Sequence, residues 1–139
     1  MSFPKTVQDS MTVAPYTVPA DLPLEVASRF MEEKHIRHLP VMKDRVVTGI
    51  LSDVSLMIAR AGATTVGEVM EKVHVVQRST PLSDIARGMA NRTLGTAVVV
   101  VDEREKVCGI FTMVDALAVL ARMLEDAGAA ATTRAVQAG

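Results

Sequence analysis

Apolar positions along this chain recur in two rhythms, and the order of those rhythms is written twice. In the first half, Leu24, Ala27 and Met31 stand at i, i+3 and i+7, the spacing of one helix face. Arg37 to Met42 and Val46 to Leu51 are apolar runs around the charged Lys43-Asp44-Arg45, which predicts two strands and a hairpin tip. Tyr16-Thr17-Val18 is a short strand candidate, broken by Pro19-Ala20-Asp21, with Asp21 as the expected helix cap. Ser52 to Ala61 reads as a second helix, stopped at Gly62. The second half repeats the order. Val75-Val76 is the short strand, and Thr80-Pro81 places a cap residue before a proline that opens a helix. Thr96 to Val101 is a continuous apolar run, the mark of a strand covered on both faces. A charged tip, Asp102 to Lys106, leads to a strand over Val107 to Phe111 and a helix from Met113 to Glu125.

The duplication is visible residue by residue. Leu24 to Met31 matches Leu82 to Met89 at an offset of 58, and the same offset pairs His38-Leu39-Pro40-Val41 with Thr96-Ala97-Val98-Val99. A two-residue insertion then makes the offset 60, aligning Gly49-Ile50-Leu51-Ser52 with Gly109-Ile110-Phe111-Thr112. Thr6 to Met11 reads as a short capped helix ahead of the first unit, and Thr65 to Met70 as its counterpart. Two copies do not make a solenoid array. They predict two supersecondary units, residues 1–62 and 63–125, that pack together because neither alone buries its apolar face. The expected fold class is α/β (α+β). Residues 126–139 have little to bury and are expected to form a flexible tail of frayed helix or disordered chain, the alternative being an alanine-rich helix continued against a partner.

Composition narrows the function. The chain has 139 residues, 22% charged, with a net charge of −1. A nucleic-acid surface would show clustered Lys and Arg, and three Phe with one Tyr offer no base-stacking platform. Cys108 is the only cysteine, so no internal disulfide is possible, and a cytoplasmic location is expected. It stands in an apolar run and reads as a core thiol. No apolar stretch has the ~18 residues of a membrane span. Nothing forms a nucleophile with a paired base, and the loop of a nucleoside triphosphatase is missing, so no enzyme is expected.

The segment with chemical content is Gly109-Ile110-Phe111-Thr112-Met113-Val114-Asp115. A buried strand ends, a hydroxyl residue opens a helix, and a carboxylate follows three residues later. The free N–H groups of a helix N-terminus attract phosphate. An ionised Asp only accepts hydrogen bonds, so its two oxygens suit the paired hydroxyls of a ribose. Thr-x-x-Asp is equally a capping box that asks for no ligand, and both readings stay open. In the first unit Ser52 keeps the hydroxyl, but Ser55 replaces the carboxylate. Asp53 stands two residues early, about 200° around the helix, and cannot substitute. His35-Ile36-Arg37-His38 lacks a third metal ligand; Arg37 and His38 are better read as phosphate contacts or a solvated strand edge. The methionines follow helical apolar positions and read as core.

This order of elements resembles a tandem pair of cystathionine β-synthase (CBS) domains, the Bateman module. The resemblance rests on Asp9-Ser10-Met11-Thr12, Arg37-His38-Leu39-Pro40-Val41, Val47-Thr48-Gly49-Ile50-Leu51-Ser52, and Gly109-Ile110-Phe111-Thr112 with Asp115, over about residues 6–124. It implies two β-α-β-β-α units packed through their sheets, with clefts for adenine nucleotides such as AMP, ADP or ATP. It places Thr112 and Asp115 on phosphate and ribose, and Val75, Val76, Thr96 and Ala97 around the base. It also implies a regulatory module, a homodimer, and an effector protein as partner. The choice among nucleotide, dinucleotide and S-adenosylmethionine stays open.

Overall fold

The computed structural model describes residues 3–14, 16–59 and 62–138, with side chains described as far as Ala131. Seven strands and four helices follow in order: β1 (Thr12–Val13), β2 (Val18–Pro19), α1 (Leu24–Lys34), β3 (His38–Lys43), β4 (Val46–Ser52), α2 (Asp53–Met57), β5 (His74–Gln77), α3 (Leu82–Ala90), β6 (Ala97–Val101), β7 (Val107–Thr112) and α4 (Met113–Ala138). Single 3₁₀ turns at Val7–Asp9 and Val66–Glu68 precede the two units. They stand where short capped helices were expected. In the first, the Asp9 carboxylate accepts the N–H groups of Lys5 at 2.8 Å and Thr6 at 3.0 Å. Those bonds, that from Thr6 foremost, hold its carboxyl below the usual range.

The strands form two sheets, one ordered β2-β3-β4 and the other β1-β7-β6-β5. The β3–β4 hairpin turns on Asp44 (φ 51°) and Arg45 (φ 68°), so two left-handed residues join the strands, as a two-residue hairpin of this hand requires. The helices cover the outer faces. Ala27 and Met31 of α1 pack with Leu39, Val41 and Leu51; Ile85 and Met89 of α3 pack with Val98, Val100 and Phe111. The inner faces meet through Ile50 of one sheet and Val99, Val101 and Ile110 of the other. The continuous apolar run of β6 is thereby explained: Val98 and Val100 face helices, while Val99 and Val101 face the opposite sheet.

The two units exchange their leading segments. Val7 is fully buried in the core of the second unit, and Val66 in the core of the first. β1 pairs antiparallel with β7, and Glu71 bridges Ile50 on β4 in the same way. Each unit thus contributes a strand edge to its twin's sheet.

Several boundaries differ from the sequence expectations. β2 is Val18–Pro19, and α1 is preceded by Pro23 with no side-chain cap, so Asp21 does not cap it. Pro81 takes the corresponding place before α3, and Thr80 does not cap. α2 ends at Met57; Arg60 and Ala61 lie outside the described residues. α4 continues past Glu125 to Ala138, so the tail takes the helical form among those expected. Its last turns are rich in alanine, the residue that costs least to hold in a helix. The repeat offset is also corrected. His38 pairs with Ser52, and Ala97 with Thr112. The equivalent of His38 is therefore Ala97, not Thr96, and the offset there is 59. The two inserted residues enter separately, one on either side of this strand.

Candidate functional site

The end of β7 carries the residues that the sequence singled out. Thr112 opens α4, and Asp115 folds back on it. The Thr112 N–H donates to Asp115 Oδ2 at 2.9 Å, the Thr112 hydroxyl donates to the same oxygen at 3.2 Å, and the Asp115 N–H donates to Thr112 Oγ1 at 3.2 Å. The capping box is formed. Asp115 Oδ1 meets only the Thr12 hydroxyl, at a long 3.4 Å. One carboxylate oxygen thus holds the helix, the other has acceptor capacity to spare, and the residue lines a cleft.

That cleft is a cavity of about 450 Å³, within the range of small-molecule sites. Three elements converge on it. Thr112, Met113, Val114 and Asp115 come from the start of α4; Thr12, Val13, Ala14 and Tyr16 come from β1 and the chain after it. His35, Ile36, Arg37 and His38 come from the loop into β3. Thr96 and Ile110 complete the lining. Tyr16 is held edge-on by Phe30, with ring centres 5.1 Å apart, and Lys34 lies 5.8 Å over its ring. Within the lining, Arg37 and the imidazoles of His35 and His38 stand against a single acid, Asp115.

The backbone around α4's first turn is already partnered in part. Met113 N–H donates to the Thr96 carbonyl at 2.9 Å, and the Thr112 and Asp115 N–H groups serve the capping box. The Arg37 carbonyl accepts from Asp53 at 3.1 Å in the equivalent place of the first unit. Arg37 and Thr96 are therefore structural twins, each capping one helix from below.

Of the expected site residues, Thr112, Asp115, Thr96, Arg37 and His38 are brought together. Val75 and Val76 are not. They lie on β5, the edge of the sheet opposite β1, and Ala97 pairs with Thr112 without lining the cavity. In their place Thr12, Val13, Ala14 and Tyr16 line the cavity, because the leading segments are exchanged. Ser52 also lies elsewhere. It and Ser55 are buried, at 5% and 1% exposure, and closed on each other. The Ser52 N–H donates to Ser55 Oγ at 2.7 Å, the Ser55 N–H to Ser52 Oγ at 3.0 Å, and the Ser55 hydroxyl to the Ser52 carbonyl at 2.9 Å. This turn closes its serines on each other, and its Asp53 carboxylate accepts from the Val54 N–H at 2.9 Å instead of standing where Asp115 does.

Among the described residues no three His, Cys, Asp or Glu side chains form a metal-binding group, and no helix is long and apolar enough to cross a membrane. Cys108 packs against the second core, and burial pushes its thiol pKa up, away from thiolate chemistry.

Comparison with known proteins agrees with this geometry. The CBS domain profile matches the chain twice, at residues 6–62 and 66–122. A solved structure described as CBSX2 in complex with AMP superposes with a TM-score of 0.66 at 28% identity, over 89% of this chain and 98% of that one. The CBS domain pair of protein MJ0100, solved with 5′-methylthioadenosine and S-adenosyl-L-methionine, superposes with a TM-score of 0.72 at 24% identity, over 85% and 97%. A curated relative, homoserine O-acetyltransferase of Methanosalsum zhilinae, is 34% identical over 109 residues; these cover 76% of this chain and 22% of that protein. The chain spans less than a quarter of that relative, so the transferase activity does not come with the match. Two profile matches, two face-packed sheets and the exchanged leading segments agree: the chain belongs to the CBS domain family, as a tandem pair.

Proposed function

We propose that this chain is a regulatory module that binds an adenine nucleotide (AMP, ADP or ATP) in the cavity at the Thr112–Asp115 turn, and that it is not an enzyme. The observation that carries the proposal is the Asp115 oxygen that the capping box leaves over, in the lining of a 450 Å³ cavity that Arg37 also lines. Asp115 Oδ1 takes the ribose hydroxyls. Apolar Val13, Ala14 and Ile110, with the Tyr16 ring, take the flat base. The phosphates lie toward Arg37, His35 and His38 rather than deep on α4, because the first-turn N–H groups of Thr112, Met113 and Asp115 already have acceptors. The solved relative with bound AMP supports this ligand class.

The ligand would touch β1, the loop into β3 and the start of α4 at once. Binding would favour whichever packing of the two units closes these around it, and a signal needs only that difference in affinity. An effector protein would read the change.

Calorimetric titration with AMP, ADP and ATP tests the reading. We expect a stoichiometry near one per chain, because the Ser52–Ser55 turn is closed and has Ser55 where the second unit has the Asp115 carboxylate. A stoichiometry near two would show that the first-unit cleft works without one, and no heat with any nucleotide would reject the proposal. The second reading is a homodimerisation module with empty clefts. It is favoured by apolar side chains left exposed on the outer helices, among them Met57 at 84% and Leu117 at 60%.

A further inference from the structure

Helix α4 outruns the fold that it closes. Ala116 and Val119 pack on the second core, and no described residue of α4 beyond Val119 joins any core cluster. The family profile ends at residue 122, yet the helix continues to Ala138. Along its exposed side Met113, Leu117, Leu120, Leu124, Ala127 and Ala131 follow at alternating steps of four and three. That is the seam of a two-helix coiled coil. Leu117, Leu120 and Leu124 are 60%, 50% and 63% exposed. No seam residue is charged, and Arg122, Glu125 and Asp126 lie off it.

The seam is graded by size. Its first half carries Met and Leu, its last two positions alanine. A helix that covers it evenly must be graded in reverse. The same helix, turned end for end, has that grading. Antiparallel pairing sets Met113 opposite Ala131 of the second copy, Leu117 opposite Ala127, and Leu120 opposite Leu124. Each layer then occurs twice about a two-fold axis near residue 122, a self-complementary interface. The small residues let the helices approach to about 8 Å. A parallel pair would stack Leu on Leu at one end and leave gaps between alanines at the other. We infer that the α4 arms of two copies of this chain form an antiparallel helix pair through this seam.

The inference is a specific form of self-association and is independent of nucleotide binding. Light scattering of the full chain at micromolar concentration should give a dimer mass, and Leu124→Glu should give a monomer that still melts in one cooperative transition, because Leu124 serves no core and only the stabilisation by association is lost. A monomeric parent, or a dimeric Leu124→Glu protein, overturns it. Direction is read by disulfide trapping in a Cys108→Ser background. Leu117→Cys and Ala127→Cys proteins should each fail to cross-link with themselves under mild oxidation and should cross-link when mixed. Self-cross-linking of Leu117→Cys alone would mean parallel pairing and would reject the antiparallel seam while leaving the dimer standing.

Discussion

Replacing Asp115 by glutamate is expected to leave the ligand-free protein as stable as the parent and to weaken adenine-nucleotide binding by about tenfold or more. Alanine would be uninformative here. Asp115 Oδ2 accepts from both the N–H and the hydroxyl of Thr112, so its loss damages helix and ligand together. Glutamate is the preferred acid at the third position of a capping box, and the cap should survive with a change under ~0.5 kcal/mol. The extra methylene nonetheless moves the second oxygen, now 3.4 Å from the Thr12 hydroxyl, away from the place where paired ribose hydroxyls would meet it. Hydrogen bonds to a charged group are worth about 1.5–3 kcal/mol each. Thermal melting with and without nucleotide reads both quantities: the ligand-free midpoint should not move, and the rise on adding ligand should shrink sharply. If Asp115→Glu binds as tightly as the parent, the ribose role is wrong and the carboxylate is only a cap.

The sequence made the repeat, the strand-helix alternation and the Thr112–Asp115 turn legible, because each depends on neighbours in the chain. A helix face is a matter of i, i+3 and i+7; a cap is a matter of three residues. What depended on pairing across the chain was less legible. Val75 and Val76 were placed at the base by the family resemblance, as the short first strand of the unit that holds Asp115. The structure instead lines the cavity with Thr12, Val13, Ala14 and Tyr16, more than ninety residues from Asp115 in sequence. One signal was available. Thr6 to Met11 stands ahead of the first unit as Thr65 to Met70 stands ahead of the second, and segments that precede their units are the ones that can cross to a twin. The offset of His38 was misplaced by one residue for a related reason. Valine runs align with each other at several offsets, and only the ladder, with His38 on Ser52 and Ala97 on Thr112, fixes the register. The closure of Ser52 on Ser55 was legible as a missing carboxylate, but not as burial, which tertiary packing alone decides.

The same exchange makes two equivalent glycines a controlled experiment. A Cβ placed on Gly109 would come within 3.0 Å of the Thr12 carbonyl oxygen and closer still to the Met11 side chain. A Cβ on Gly49 would lie 2.8 Å from the Glu71 carbonyl oxygen and 2.7 Å from Met70 Sδ. In each unit the glycine lets the twin's leading segment lie against the strand, where backbone and methionine leave no room for a methyl group. Gly49→Ala and Gly109→Ala are therefore both expected to lower stability by about 1–3 kcal/mol, the cost of overpacking. Their melting midpoints should fall together by several degrees. Their effects on ligand should part. The segment displaced by Gly109→Ala carries Thr12 and Val13 into the cavity, so nucleotide affinity should drop along with stability. The segment displaced by Gly49→Ala carries Glu71 to its bridge with Ile50 and puts no residue in the cavity lining, so affinity should stay within about twofold once the protein is held below its melting range. Equal loss of binding in the two proteins would mean that the ligand depends on the general packing of the pair rather than on the cavity at Asp115. Loss in Gly49→Ala alone would move the site to the first unit.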